Sequence, residues 1–126
     1  MKASTRDWIK KAEADYQLAV TLLRRKKVPV HDHACFLFQQ SAEKYLKARL
    51  EEAGVRFPKT HDLVVLLQLA ALLEPLWTAF TVAARKLNNY AVKVRYPGNE
   101  ATAAEMKTSH RDAKAIRAEA RAALGL

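Results

Sequence analysis

Apolar residues recur at steps of three and four along almost the whole chain, and this periodicity limits the fold more than any other feature. The first stretch shows it with Trp8, Ile9, Ala12, Tyr16, Ala19, Val20 and Leu23. Such spacing places the side chains on one face of a helix with about 3.6 residues per turn. The composition agrees, because alanine, leucine, lysine, arginine and glutamate dominate and the chain has only three glycines and four prolines. No alternating strand pattern interrupts the series, so the sequence predicts an all-α protein.

Breaks in the periodicity separate the first two predicted helices. The first is expected over residues 5–26, with Ser4 or Thr5 as its N-terminal cap. After a proline break, Asp32 is the predicted cap of a second helix that continues to Gly54. This second helix carries apolar residues on two opposite sides. That pattern indicates either a central position in the bundle or one half of a subunit interface.

The remaining breaks predict three further helices. Thr60 is expected to cap a helix over residues 61–73, and Pro75 opens a fourth helix that ends at the turn 96–98. The segment Thr-Ala-Ala-Glu at 102–105 matches a capping box and begins the fifth helix. Short connections between the helices favour an antiparallel up-and-down bundle of about five helices.

Length and composition predict one cytoplasmic domain over residues 1–126. A chain of 126 residues is long enough for a single hydrophobic core but too short for two domains. The only cysteine, Cys35, excludes an internal disulfide and fits a reducing compartment. The N-terminus has no apolar signal core. The longest apolar stretch, residues 63–73, is interrupted by Gln68 and is shorter than the roughly 20 residues of a membrane span.

The net charge favours an acidic partner without identifying one. The formal charge of +9 suits nucleic acid, a nucleotide or an acidic protein surface. However, 13 acidic residues are interspersed among the 22 basic ones, so a solvated basic surface explains the charge equally well.

Three polar patches lie inside otherwise ordinary helical patterns, at residues 39–44, at residues 60–63, and from Asn88 to the segment 95–97. A helical bundle does not need amides, an imidazole and a guanidinium at such places in order to fold. We therefore expect the three patches to share one polar surface, which is the best guide to function.

His61 has two interpretations. Four residues separate it from Arg56, and an arginine can hold a phosphate while a histidine moves a proton. Alternatively, the ring lies at a helix start and bonds to the backbone or to a neighbouring carboxylate. Glu43 and Lys47 are four residues apart in the order that favours an ion pair along one helix.

Arg95 is the sharper candidate. It ends an apolar helix and is followed by Tyr96, and a guanidinium beside an aromatic ring suits a phosphate together with a stacked base. The alternative is a C-terminal arginine that interacts with the helix dipole.

The sequence predicts no metal and no cofactor. His31, His33 and Cys35 are ligand types, but side chains two positions apart on a helix point in different directions, so an ordinary helix start is the better interpretation. There is no glycine-rich phosphate loop, no paired acidic metal site and no Ser-His-Asp spacing.

Several segments in a fixed order resemble the HEPN family, named for nucleotide binding in higher eukaryotes and prokaryotes. The segments are WIKKAEADY at 8–16, FQQSAEKYLKA at 38–48, FPKTHDL at 57–63, LNNY at 87–90 and VRYPG at 94–98. The resemblance covers nearly the whole chain and agrees with a helical bundle. It implies a small prokaryotic protein that forms homodimers. Such proteins are often encoded beside a minimal nucleotidyltransferase in toxin–antitoxin pairs.

The resemblance also implies a possible activity. Many family members are metal-independent ribonucleases, marked by an arginine that a histidine follows after four to six residues. Arg95 resembles that arginine in position. The expected histidine positions hold Glu100, Ala101 and Thr102, so this chain departs from the signature.

The first functional hypothesis is therefore a HEPN-type module that dimerises and binds a nucleotide, RNA or a nucleotidyltransferase partner. Arg95 holds phosphate in this hypothesis, Tyr96 stacks on a base and Lys47 adds positive charge. The second hypothesis is a toxin ribonuclease that uses Arg95 with a non-standard His61. A module for helix association alone is the third. The predicted ligand-binding residues are Gln40, Glu43, Lys47, His61, Asn88, Arg95 and Tyr96.

Overall fold

The computed structural model describes residues 1–25, 30–93 and 96–126. In these ranges the chain forms five α-helices and one short 3-10 helix, with no strand. The α-helices are α1 (Ala3–Leu22), α2 (His31–Glu52), α3 (Leu63–Ala71), α4 (Thr81–Lys93) and α5 (Ala103–Ala123), and the 3-10 helix spans Pro75–Phe80. The predicted all-α helical bundle is confirmed.

Helix α2 is the centre of the bundle and contacts α1, α3, α4 and α5. Phe38, Tyr45 and Leu46 of α2 are fully buried, and so is Leu50 on another side of the helix. A helix surrounded by four others needs apolar residues on more than one side, which explains the two-sided pattern in the sequence. Each large side chain buried in this way stabilises the fold by about 1.5–3 kcal/mol.

Helices α1 and α2 run antiparallel. The start of α1 meets the end of α2, where the Thr5 hydroxyl donates to Glu52 Oε1 at 3.0 Å. Further along, Lys44 of α2 bonds to Asp15 of α1. Later residues of α1 therefore contact earlier residues of α2, as expected for neighbouring helices with a short connection.

Helix α5 runs parallel to α2, unlike the strict up-and-down order. Ser109 of α5 donates to Cys35 of α2 at 3.5 Å, and Arg121 of α5 reaches Tyr45 of α2 at 3.3 Å. Later residues of α5 thus contact later residues of α2. The 50 residues between α2 and α5 contain α3, the 3-10 helix and α4, which carry the chain back to the starting end of α2.

Three predicted N-terminal caps are wrong, and in the first two a partner far along the chain takes the side chain. The N-cap of α1 is Lys2, which makes no side-chain capping bond, while the hydroxyls of Ser4 and Thr5 donate to Glu51 and Glu52 of α2. Asp32 lies in the first turn of α2 and accepts from the backbone N–H of Ala101 instead.

The third wrong cap concerns α3, which begins two residues later than predicted. Asp62, and not Thr60, is the cap, and its carboxylate accepts from the backbone N–H of Val64 at 2.9 Å. The Thr60 hydroxyl accepts from the N–H of Asp62 at 3.1 Å. Aspartate is among the strongest N-cap residues, so it displaces the threonine.

Other boundaries agree with the sequence. Gly54, at φ +71°, ends α2 as predicted, with N–H bonds from Gly54 to Glu51 and from Val55 to Leu50, both 3.0 Å. The capping box at 102–105 is confirmed by both of its bonds.

Two other predicted helices also differ from the structure. Helix α1 ends at Leu22, before the predicted Lys26, which lies outside the described residues. The predicted fourth helix is divided, because Pro75 opens a 3-10 turn and α4 begins at Thr81.

Candidate functional site

A buried carboxylate on α2 organises the candidate site. Glu43 is only 2% exposed, and each of its oxygens has a partner. Lys47 Nζ donates to Oε2 at 3.1 Å, and His61 Nδ1 lies 2.9 Å from Oε1. The sequence spacing predicted the ion pair between Glu43 and Lys47, which is confirmed, but the contact lies in the interior. We call Glu43, Lys47 and His61 the Glu43 cluster.

Lys47 is covered by two aromatic rings. Its ammonium lies 5.3 Å from the centre of the Trp8 ring and 6.0 Å from that of Phe57, a geometry that favours cation–π attraction. The two rings meet edge to face at 6.2 Å. Lys47 is 6% exposed and its charge is matched by Glu43, so the structure does not place it as a source of positive charge in an open recess.

His61 is the exposed end of this cluster, with 71% of its side chain accessible. Its backbone carbonyl accepts from Gln39 Nε2 at 2.7 Å. Gln40 in turn donates to Gln39 Oε1 at 2.7 Å and lies 3.5 Å from Glu43 Oε1. The imidazole is therefore held through Nδ1 and through its own main chain, whereas Nε2 has no partner among the described residues.

Asn88 joins α4 to the start of α3. Its Oδ1 accepts from the backbone N–H of Leu63 at 3.1 Å, and its Nδ2 donates to Asp62 Oδ1 at 2.8 Å. Both amide atoms of Asn88 thus have partners inside the protein. Its role in the described structure is to fix α3 against α4, beside His61.

These residues border a pocket of about 280 Å³ between α2, the start of α3 and the second half of α4. One part of the lining is polar and the other is apolar. The lining residues are Gln39, His61, Asp62, Asn88, Ala91 and Val92.

Arg95 and its neighbour Val94 lie outside the described residues, so the role of Arg95 stays a prediction from the sequence. Tyr96 begins the turn that follows and is 61% exposed. Ala91 and Val92, which line the pocket, precede Arg95 by only four and three positions.

The structure joins four of the seven predicted residues, Gln40, Glu43, Lys47 and His61, in one network. Asn88 borders the same pocket. Sequence reasoning missed Gln39 and Asp62 as lining residues, although Gln39 belongs to the same Gln-Gln pair and Asp62 directly follows His61. It also missed the cover that Trp8 and Phe57 place over Lys47, because no local pattern connects α1 with the loop before α3.

A family model of the HEPN domain matches residues 5–123, nearly the whole chain. The chain belongs to the HEPN family. One solved structure, the protein TT1696 from Thermus thermophilus, superposes with a TM-score of 0.79 over 97% of this chain and 99% of that one. At 24% identity this likeness shows a shared fold. Among curated proteins, none matches this HEPN chain significantly.

Other sequence candidates in this HEPN domain have ordinary surroundings. Cys35 is fully buried, and the Ser109 hydroxyl lies against its sulfur. Within residues 1–25, 30–93 and 96–126, no three metal-ligand side chains meet. In the same ranges, no helix combines the length and apolar character that a bilayer crossing demands.

A second polar cluster in the HEPN bundle joins α1, α2 and α5. Arg117 donates to both oxygens of Glu13, at 2.8 and 2.7 Å, and Tyr45 also donates to this carboxylate. Burial would raise the pKa of Glu13, but hydrogen bonds from Arg117, Tyr45 and Gln17 outweigh it and lower the pKa to about 2. We call Glu13, Tyr45, Arg117 and Arg121 the Glu13 cluster.

His110 lies beside this cluster in a different setting from His61. Its ring stacks on Phe38 with centres 5.1 Å apart, and its Nε2 is 3.3 Å from the Tyr16 hydroxyl oxygen. Burial, followed by the positive charge of Lys114, lowers the pKa of His110. This histidine is therefore a packing residue.

Proposed function

We propose that this HEPN domain is a ligand-binding and assembly module that takes a nucleotide or a segment of RNA in the pocket beside His61. The observation that carries the proposal is an exposed imidazole held by a buried carboxylate at the edge of that pocket. A bundle does not require a buried ion pair for stability, since apolar residues of similar volume serve as well. A ring held at one nitrogen by a carboxylate is oriented to offer its other nitrogen to a ligand.

The pocket suits a ligand with polar and flat apolar parts. Its volume of about 280 Å³ lies just below the usual range of about 300–1,000 Å³ for ligand pockets, so the pocket suits part of one nucleotide unit. Ala91 and Val92 offer an apolar wall to a base, and His61 and Asp62 offer polar atoms to a sugar. In this proposal Arg95 contacts a phosphate and Tyr96 stacks on the base. Both residues follow Val92 in the chain, and the sequence alone assigns them to the site.

The experiment is a binding titration with AMP and with a short single-stranded RNA. We expect His61→Ala to weaken binding by about tenfold, the effect of losing one hydrogen bond to the ligand. His33→Ala is the matched control, because His33 is exposed at the start of α2 and does not line this pocket. Equal affinity of wild type and His61→Ala for both probes would refute the pocket assignment.

Arg95 is tested in the same titration. Arg95→Ala should weaken binding by about tenfold or more, since a guanidinium–phosphate contact is charge-assisted. Arg85→Ala, an exposed arginine earlier on α4, controls for the loss of one positive charge. Similar losses in the two variants would assign the effect to general charge and remove Arg95 from the site.

The proposal includes a homodimer and a minimal nucleotidyltransferase partner. Its support is a set of large apolar side chains left exposed from α3 to α4, where Leu72 is 80% and Leu76 is 88% accessible and Val82 and Val92 are also exposed. Large apolar side chains left in solvent on neighbouring elements offer a surface that a protein partner can cover. Light scattering should give twice the chain mass for wild type and the monomer mass for a Leu72→Glu, Leu76→Glu variant. A monomeric wild type at high concentration would contradict the dimer.

A metal-independent ribonuclease is the second candidate, and the contact between His61 and Glu43 favours it. A histidine whose second nitrogen is held by a carboxylate is a common general-base arrangement. Cleavage of RNA by purified protein in EDTA, lost in His61→Ala and kept in His33→Ala, would support it. Intact RNA after prolonged incubation with wild type would exclude it.

A further inference from the structure

We infer that Glu43 fixes the tautomer of His61, so that the neutral ring offers Nε2 as an acceptor and the pocket selects a ligand with a ribose hydroxyl. This inference rests on the proposed function and names the ligand class of its pocket. Glu43 acts through His61 and is a positioning residue.

The first step concerns the carboxylate. Lys47 Nζ lies 3.1 Å from Glu43 Oε2, and both side chains are buried. The carboxylate accepts from the Lys47 ammonium at this oxygen, and a carboxylate can only accept hydrogen bonds. Glu43 Oε1 therefore faces His61 Nδ1 as an acceptor, at 2.9 Å.

The second step concerns the ring. A neutral imidazole carries one proton, and the partner of one nitrogen decides where it lies. With a carboxylate acceptor at Nδ1, the proton resides on Nδ1 and donates to Glu43. Nε2 then holds a lone pair. No described residue bonds this nitrogen and 71% of the side chain is exposed, so the lone pair is available to a ligand.

The third step concerns the other polar atoms of the pocket. Asp62 Oδ1 already accepts from Val64 and Asn88, and Oδ2 has no partner among the described residues. An ionised carboxylate oxygen is an acceptor as well. His61 and Asp62, adjacent in the chain, thus both present acceptors to the pocket, which matches a ligand group that donates.

Hydroxyl groups of a ribose are donors of this kind, whereas a phosphate oxygen accepts at neutral pH and is repelled by Asp62. The 2′-hydroxyl is the group by which proteins distinguish RNA from DNA. We therefore assign the surroundings of His61 and Asp62 to the ribose of a ribonucleotide or of RNA, in preference to a deoxyribose.

The first experiment measures the tautomer without any ligand. Nitrogen-15 NMR of labelled wild type at mildly alkaline pH should show His61 protonated on Nδ1. The double variant Glu43→Met, Lys47→Met removes the acceptor without leaving a buried charge unpaired, and should move the proton towards Nε2. The exposed His33 in the same spectra is an internal reference that should not change. A wild-type His61 protonated on Nε2 would overturn the inference.

The second experiment compares AMP with 2′-deoxy-AMP, and a short single-stranded RNA with DNA of the same sequence. We expect the ribose forms to bind about tenfold more tightly, with the difference reduced to about twofold in His61→Ala. Equal binding of both forms that still depends on His61 would overturn the ligand class and leave the proposed function intact. If neither form binds, the proposed function fails together with the ligand class, and the nitrogen spectrum still decides the role of Glu43.

Discussion

The two polar clusters of this protein have the same kinds of components and different outcomes. Each is built on a glutamate that bonds a cation, with aromatic rings nearby, and each includes a residue of α2. In the Glu13 cluster every component bonds another within the bundle, and Arg117 also lies 4.6 Å from the centre of the Tyr16 ring. It joins three helices and leaves little to offer a ligand.

The Glu43 cluster differs because its hydrogen bonds connect buried side chains to an exposed one. Glu43 and Lys47 are buried, but the chain of contacts ends at an imidazole that is largely in solvent and borders a pocket. Polar groups that satisfy one another serve stability, and a few polar groups with an unused atom at a pocket can orient a ligand. The predictions below separate these two roles.

The largest expected effect is that of Lys47→Met. It leaves Glu43 buried with no compensating cation, which should lower the free energy of unfolding by about 3 kcal/mol. The double variant Glu43→Met, Lys47→Met should recover most of this loss, since it removes both charges. Urea denaturation measures both values, with Lys59→Met as the exposed control. A single variant as stable as wild type would show that the pair is not buried in solution.

Glu13→Gln should have the next largest effect, a loss of about 2 kcal/mol at neutral pH, allowing for solvent screening of a partly exposed pair. The folded pKa of about 2 lies below the ordinary 4.5, so this contribution is present above pH 4.5 and is lost as the pH falls towards 2. Urea titrations across this range should show wild type and Glu13→Gln converging in acid. A constant gap between them would contradict the shifted pKa.

Asn88→Ala should cost about 1–2 kcal/mol, because the backbone N–H of Leu63 loses its acceptor and Asp62 loses a donor. Asn89→Ala is a matched control, since the next residue is exposed on the same helix and should change stability little. Thermal unfolding followed by circular dichroism distinguishes the two. Similar shifts would attribute the effect to helix propensity and not to the bonds of Asn88.

The smallest effect on stability is expected at His61, where alanine should change the free energy of unfolding by less than about 0.5 kcal/mol. His110→Ala should cost about 1 kcal/mol through the lost contact with Phe38. A larger cost at His61 than at His110 would reverse the assignment of binding and packing roles.

The pH dependence sharpens the same comparison of histidines. The lowered pKa of His110 means that the fold prefers its neutral ring, so this contribution is complete above pH 6.5 and declines as the pH falls below it. His110→Phe keeps a ring against Phe38 and removes the titration. Wild type should therefore lose more stability than this variant between neutral and mildly acidic pH. Parallel profiles for the two proteins would show that the fold does not favour the neutral ring of His110.

Much of the fold could be predicted because the responsible signals are local. Periodic apolar residues predicted the helices. Gly54 correctly predicted the end of α2, and the Thr102–Glu105 capping box correctly predicted the start of α5. The caps at Ser4 and Asp32 failed for the opposite reason. Their side chains bond to Glu51 and Ala101, which lie far along the chain, and such partners are invisible to a local pattern.

The candidate site shows the same division. The sequence identified His61 and Glu43 as unusual polar residues and offered a carboxylate partner as one interpretation of the histidine. It also expected Lys47 to add positive charge to the binding surface, whereas Lys47 is buried and covered by Trp8 of α1. Arg95 lies outside the described residues, so its part in the site still depends on the sequence.

The sequence by itself determined that this protein is a helical bundle of the HEPN family, since helix periodicity and the order of the motifs can be read directly along the chain. Only the tertiary structure decided that α5 runs parallel to α2 and that Glu43 meets His61 across 18 positions. The physical reason is that burial selects which polar groups must pair. Which polar groups are buried together depends on the helices that surround them, and this cannot be read from residues nearby in the sequence.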